Sequence, residues 1–126
     1  MKRVLVVDDA ATVRMYHRSI LEAAGYKVEE AWNGIEALEK ALEAPSGFYD
    51  LYIVDVNMPK LDGYGFLREL RQQDILQAPA IMVSTEAATR DELAAYRAGA
   101  SGYLVKPAKP QQLLAHVRLM LGEAIQ

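Results

Sequence analysis

The chain has 126 residues, 52% of them hydrophobic and 25% charged, with a net charge of −3 and a pI near 5.4. This is the size and composition of one globular domain that can bury its own core, and the acidic balance excludes the basic face that nucleic-acid binding requires. There are no cysteines, which excludes disulfides, thiolate metal sites and a cysteine nucleophile.

Too few apolar residues follow the basic start before Asp8 to make a signal peptide. No apolar run approaches the ~20 residues of a membrane span, so the sequence predicts a soluble, cytoplasmic protein. Residues 3–8 read as a first strand, Val4-Leu5-Val6-Val7 running into Asp8-Asp9. Residues 12–24 read as a helix with Val13, Tyr16, Ile20 and Leu21 on one face and Gly25 as its stop. Residues 27–31 form a poorer strand with two glutamates. Asn33-Gly34 opens a second helix, with Ile35, Leu38 and Leu42 expected inward and Pro45-Ser46-Gly47 breaking it. Residues 51–55 form a third strand ending in Asp55. Asp62 is the expected N-cap of a helix carrying Phe66, Leu67 and Leu70. Residues 79–84 form a fourth strand ending in Ser84. Thr89 and Glu92 stand at capping-box spacing ahead of Leu93 and Tyr96, and Gly99 ends that helix. Residues 102–105 form a fifth strand ending at Lys106. Pro110 opens a last helix with the stripe Leu113, Leu114, Val117, Met120 and Leu121.

Strictly alternating strands and helices predict an α/β fold: a doubly wound, five-stranded parallel sheet with helices on both faces. Strands one, three and four are wholly apolar and suit the centre. The glutamate-bearing second strand and the short fifth strand suit the edges. The order 2-1-3-4-5 satisfies this, with its switch point between the two strands that end in aspartates. Ligands of such sheets bind beyond the carboxyl ends of the strands. Asp8, Asp9, Asp55, Ser84 and Lys106 are therefore expected at one edge. Three close carboxylates need protons or a cation, and a hard divalent ion such as Mg²⁺ takes oxygen ligands of this kind. With a lysine and a hydroxyl beside them, these are the parts for receiving a phosphoryl group.

The sequence resembles the response-regulator receiver domain of two-component signalling, of the stand-alone CheY-like type. The resemblance covers essentially the whole chain, residues 1–126 as one receiver domain. It rests on VLVVDD, on Asn33-Gly34-Ile35-Glu36-Ala37-Leu38, and on Asp55-Val56-Asn57-Met58-Pro59 with Asp62-Gly63. Ser84-Thr85-Glu86, Gly99-Ala100-Ser101-Gly102-Tyr103 and Lys106-Pro107 complete it, all in order and at matching spacing. It implies a flavodoxin-like (βα)5 fold and a phosphorelay switch, with Asp55 as phosphoacceptor. Asp8 and Asp9 are implied as the acidic pair for Mg²⁺ or Mn²⁺, with the Asn57 backbone carbonyl as a further ligand. Ser84 is implied as the switch hydroxyl, Tyr103 as the switch aromatic, Lys106 as the phosphate partner and Pro107 as a cis proline. Asn57 and Glu86 occupy positions that tune hydrolysis. Thr85 stands where the family usually has a smaller residue. Implied partners are a histidine kinase or phosphotransfer protein and a downstream target on the face of the fourth helix, fifth strand and fifth helix. A monomer or weak dimer is expected, and no output domain is expected after the last helix.

Plainer readings compete for single residues. Asp8 or Asp9 alone suits a helix cap, Ser84 a turn, Lys106 an edge charge, and Tyr103 a half-buried core position. Trp32 reads as packing, and His17 and His116 as surface histidines. Gly63 and Gly65 complete no GxGxxG pattern. Two other functions compete for the whole pattern. A haloacid-dehalogenase-like phosphatase would need an acid where Asn57 stands. A phosphorylation-independent interaction module would not need the acid set. The expectation is a phosphoacceptor and not a multiple-turnover enzyme.

Overall fold

The computed structural model describes residues 1–123. Residues 124–126, expected from the sequence to form the tail after the last helix, lie outside the described residues. Five strands alternate with five helices: β1 (Arg3–Val7), α1 (Ala11–Ala23), β2 (Lys27–Ala31), α2 (Gly34–Glu43), β3 (Leu51–Asp55), α3 (Gly63–Arg71), β4 (Ala80–Ser84), α4 (Thr89–Ala98), β5 (Gly102–Val105) and α5 (Pro110–Met120). All strand pairs are parallel, in the order β2-β1-β3-β4-β5. The predicted order and edge strands are those observed.

Because side chains alternate across a strand, each strand serves two cores. Leu5, Val7, Tyr52, Val54 and Met82 point to the face covered by α2, α3 and α4. Val4, Val6, Ile53, Ile81 and Val83 point to the face covered by α1 and α5. The predicted inner residues of α3, Phe66, Leu67 and Leu70, are wholly buried, each stabilising the fold by about 2 kcal/mol. Leu113 and Val117 of α5 are buried, with Leu114, Met120 and Leu121 packed beside them.

Four expectations need correction. The buried face of α2 is Gly34, Ala37 and Ala41; Leu38 only packs at its margin, and Ile35 and Leu42 are exposed. Small side chains let this helix approach its neighbours closely. A Cβ on Gly34 would lie 2.2 Å from the Leu61 carbonyl oxygen, to which the Gly34 amide donates at 3.0 Å. The capping box of α4 does not form: the N-cap is Ala88, Thr89 is already helical, and Glu92 accepts a bond from the Tyr96 hydroxyl at 3.0 Å. Trp32 is 54% exposed, with the Arg14 guanidinium 5.7 Å from its ring centroid. His17 is buried at 3% exposure on the inner face of α1, while Tyr16 turns partly outward.

Candidate functional site at the carboxyl edge of the sheet

Register brings the acids together. Val7 of β1 pairs with Val54 of β3, so Asp8 and Asp55 stand side by side where the two strands leave the sheet. Asp8 and Asp55 are 2% and 7% exposed, and Asp9 faces solvent. One carboxylate oxygen from each of the three lies within 4.8 Å of the others. Such a set of hard oxygen donors fits a divalent cation of the Mg²⁺ class.

Each acid is held by its own loop. Asp8 Oδ1 accepts from the Ala10 amide at 2.9 Å, and its backbone carbonyl accepts from Arg14 Nη1 at 2.8 Å. The same Arg14 pairs with Glu30 at 2.8 Å, tying β2 to the start of α1. Sequence reasoning missed Arg14, although an arginine one helical turn past an acidic pair is a visible signal. The loop after β3 folds back so tightly that the Gly63 amide donates to the Val56 carbonyl at 2.9 Å, and a Cβ on Gly63 would lie 2.3 Å from the Asp55 carbonyl oxygen. Asp62 caps α3 as predicted, accepting from the Gly65 amide at 2.8 Å. Asn57 is exposed on this loop.

Lys106 crosses the edge from the end of β5. Its Nζ donates to Asp55 Oδ1 at 2.8 Å and to Asp8 Oδ2 at 2.9 Å. The reading of Lys106 as an edge charge therefore fails. Burial raises the Asp55 carboxyl above its ordinary range; the Lys106 hydrogen bond opposes this, and the nearby Asp8 and Asp9 charges add to it. Burial works against the Lys106 ammonium, yet its bonds to Asp55 and Asp8 hold its pKa above the ordinary lysine value. Both shifts are upward, for Asp55 because burial disfavours its charge and for Lys106 because two carboxylates hold its proton. The peptide bond between Lys106 and Pro107 is cis, at the position the sequence singled out.

Ser84 and Tyr103 meet through a shared neighbour. Ser84 is buried and its Oγ accepts from the Glu86 amide at 3.1 Å, while the Tyr103 hydroxyl donates to the Glu86 carbonyl at 2.7 Å. The sequence drew attention to the Glu86 side chain, which is exposed; its backbone makes the connection. Tyr103 is half-buried against the α3–α4 core. Thr85 lies at the wall of a cavity between α1 and the turn after β5. His116 is partly buried on α5, its Nδ1 3.0 Å from the Gln112 carbonyl, and takes no part in the cluster.

A sequence model described as the response regulator receiver domain matches residues 4–118. The chain belongs to the response regulator receiver family. The receiver is 36% identical to the transcriptional regulatory protein ResD of Bacillus subtilis over 98% of this chain and 50% of that protein. It thus spans about half the length of the curated relatives it matches. Among solved structures it superposes on the Vibrio cholerae chemotaxis protein CheY4 with a TM-score of 0.88 and 38% identity, covering 96% of this chain and 99% of that one. The receiver domain of Francisella response regulator 1452 gives a TM-score of 0.88 at 29% identity, covering 97% and 98%. The receiver is a domain of two-component signalling, a class that works with histidine kinases and downstream targets. Among the described residues, no helix is long and apolar enough to cross a membrane.

Proposed function

We propose that this receiver is a phosphoacceptor switch in which Asp55 takes a phosphoryl group from a histidine kinase or a histidine phosphotransfer protein. The observation that carries this reading is the position of Lys106: a partly buried ammonium within 2.9 Å of both Asp55 and Asp8, at the edge where three carboxylates converge. An Asp55 carboxylate oxygen attacks phosphorus, the bond from phosphorus to the donor's imidazole nitrogen breaks, and its electron pair stays on that ring. Asp8, Asp9, Asp55 and the Asn57 backbone carbonyl would hold Mg²⁺ or Mn²⁺, which supplies neutralisation of the phosphoryl charge when bound. Lys106, already aimed at Asp55, offers a point charge to a phosphoryl oxygen. Ser84 can donate its hydroxyl proton there while its oxygen keeps or releases the Glu86 amide.

The acyl phosphate adds negative charge and strong acceptor oxygens to a buried position. Moving Ser84 toward it pulls on the Glu86 backbone, and thereby on Tyr103, which bonds the Glu86 carbonyl. The change passes to the α4–β5–α5 face, where Leu93, Tyr96 and Val105 are already exposed for a downstream target. Driving such a switch from 1:99 to 99:1 takes about 5.5 kcal/mol of differential interaction. Each molecule takes up one phosphate and hydrolyses it, at a rate that Asn57 and Glu86 tune; it does not turn over a phosphate ester as an enzyme would. Incubation with acetyl phosphate and Mg²⁺, followed by intact mass, tests this. Wild type should gain one phosphoryl group and Asp55→Asn none; stoichiometric uptake by Asp55→Asn would overturn the assignment.

A further inference from the structure

Lys106 reaches Asp55 and Asp8 from a turn that few hydrogen bonds hold. Upstream, the Lys106 amide donates to the Ser84 carbonyl at 2.7 Å; downstream, the Lys109 carbonyl accepts from the Leu113 amide at 2.9 Å as α5 begins. Pro107 and Pro110 have no amide proton to give. Between those two points, among the described residues, the turn makes one hydrogen bond: the Tyr16 hydroxyl donates to the Ala108 carbonyl at 2.9 Å. A cavity of about 410 Å³ lies between the turn and Val13 and Tyr16 of α1, so close packing does not secure that side. Ala108 is buried, and a main-chain carbonyl there needs the partner that Tyr16 supplies.

The helix that carries Tyr16 is itself fixed on the other half of the site. Two residues before Tyr16, Arg14 Nη1 donates to the Asp8 carbonyl at 2.8 Å. One helix thus grips the backbone at Asp8 through Arg14 and the turn after Lys106 through Tyr16, 92 residues apart in sequence from the carbonyl it holds. The lever from Ala108 back to Lys106 is short, and the ring of Pro107 fixes one backbone torsion within it. A shift of Ala108 therefore passes to the lysine. Hydrogen bonds weaken steeply away from their preferred distance and angle, and Lys106 Nζ must satisfy two at once, at 2.8 and 2.9 Å.

We propose that Tyr16 is a positioning residue for Lys106: by holding the Ala108 carbonyl, its hydroxyl fixes the turn from which the ammonium reaches Asp55 and Asp8. The consequence for phosphoryl transfer rests on the reading of Asp55 as phosphoacceptor; the hold on Lys106 does not.

The test is the Lys106 ammonium signal in ¹⁵N NMR of the full chain, in chelator and without phosphate, assigned by its loss in Lys106→Met. Pairing with two carboxylates shields those protons from water, so wild type should show a slowly exchanging ammonium. Tyr16→Phe keeps the ring and deletes only the hydroxyl. It should exchange the ammonium protons about fivefold faster, the factor that one neutral hydrogen bond contributes. Tyr49→Phe deletes a comparable bond, 2.8 Å long, to Glu29 on β2, and should leave the signal unchanged. With acetyl phosphate and Mg²⁺, Tyr16→Phe should also take up phosphate about fivefold more slowly, since the charge offered to the phosphoryl oxygen is less well placed. Exchange in Tyr16→Phe equal to wild type, equal acceleration by Tyr49→Phe, or no slowly exchanging ammonium in wild type would each overturn the hold on Lys106. Faster exchange with an unaltered rate of phosphate uptake would overturn its consequence for transfer. If wild type takes up no phosphate, it is the proposed function that fails, and the exchange rates still decide the role of Tyr16.

Discussion

Replacing Lys106 by methionine keeps most of the stem and removes the charge. The ammonium now holds Asp55 at 2.8 Å and Asp8 at 2.9 Å, both nearly sealed from water. Without it, like carboxylates whose oxygens lie within 4.8 Å repel one another by about 3.5 kcal/mol at an effective dielectric near 20. Two charge-assisted hydrogen bonds are also lost, each contributing about 1.5–3 kcal/mol. Protonation of Asp55 relieves part of this, and breaking a buried pair typically costs about 3–5 kcal/mol. We therefore expect Lys106→Met to lose about 3 kcal/mol at neutral pH in chelator, a fall in Tm of about 12 °C for a chain of this size. Urea denaturation and a thermal melt, each with and without Mg²⁺, measure it. The deficit should shrink as pH falls: the folded-state pKa of Asp55 is raised, so the native protein takes up that proton before the unfolded chain does. A variant as stable as wild type in chelator would refute the reasoning, because the carboxylates would then not depend on Lys106.

Three further outcomes are expected from the geometry. Lys106 has a raised folded-state pKa, so its stabilisation is complete below the ordinary lysine value of about 10.4 and lost as pH rises through the higher folded value; the urea midpoints of wild type and Lys106→Met should converge there. Gly63→Ala places a methyl group 2.3 Å from the Asp55 carbonyl oxygen and should cost about 2 kcal/mol by urea denaturation, since backbone must move. Mg²⁺ at about 100 times its Kd should stabilise wild type by about 2.7 kcal/mol. Asp9→Ala should lose most of that gain in a thermal melt while folding normally in chelator, because Asp9 is exposed.

The strand ends were the legible part of this chain. Apolar runs closed by Asp8, Asp55, Ser84 and Lys106 announce buried parallel strands, and a parallel sheet gathers all four closing residues at a single edge. Helix faces were harder to read. In α2 the inward positions are Gly34, Ala37 and Ala41, and alanine favours any helical position, so its periodicity carries little signal beside Ile35 and Leu42. His17 illustrates the same limit: a polar residue on an amphipathic helix reads as surface, yet the fold buries it. The links through the Glu86 backbone were invisible because main-chain groups have no sequence signature. The capping box failed because α4 begins at Thr89, one residue earlier than the motif requires.

The reach of Lys106 also has a consequence for how the domain assembles. It lies 98 residues beyond Asp8 and 51 beyond Asp55. Until Lys106 is in place, the acids that end β1 and β3 lack the ammonium that bonds both of them in the folded domain. When β5 joins the edge of the sheet, that ammonium arrives with it and lowers the cost of burying them. The last strand thus brings electrostatic closure as well as its own backbone pairing, and it couples the two ends of the chain into one cooperative unit. A chain halted before Gly102 would keep four strands and carry an acidic rim without the ammonium that bonds Asp8 and Asp55 in the finished domain.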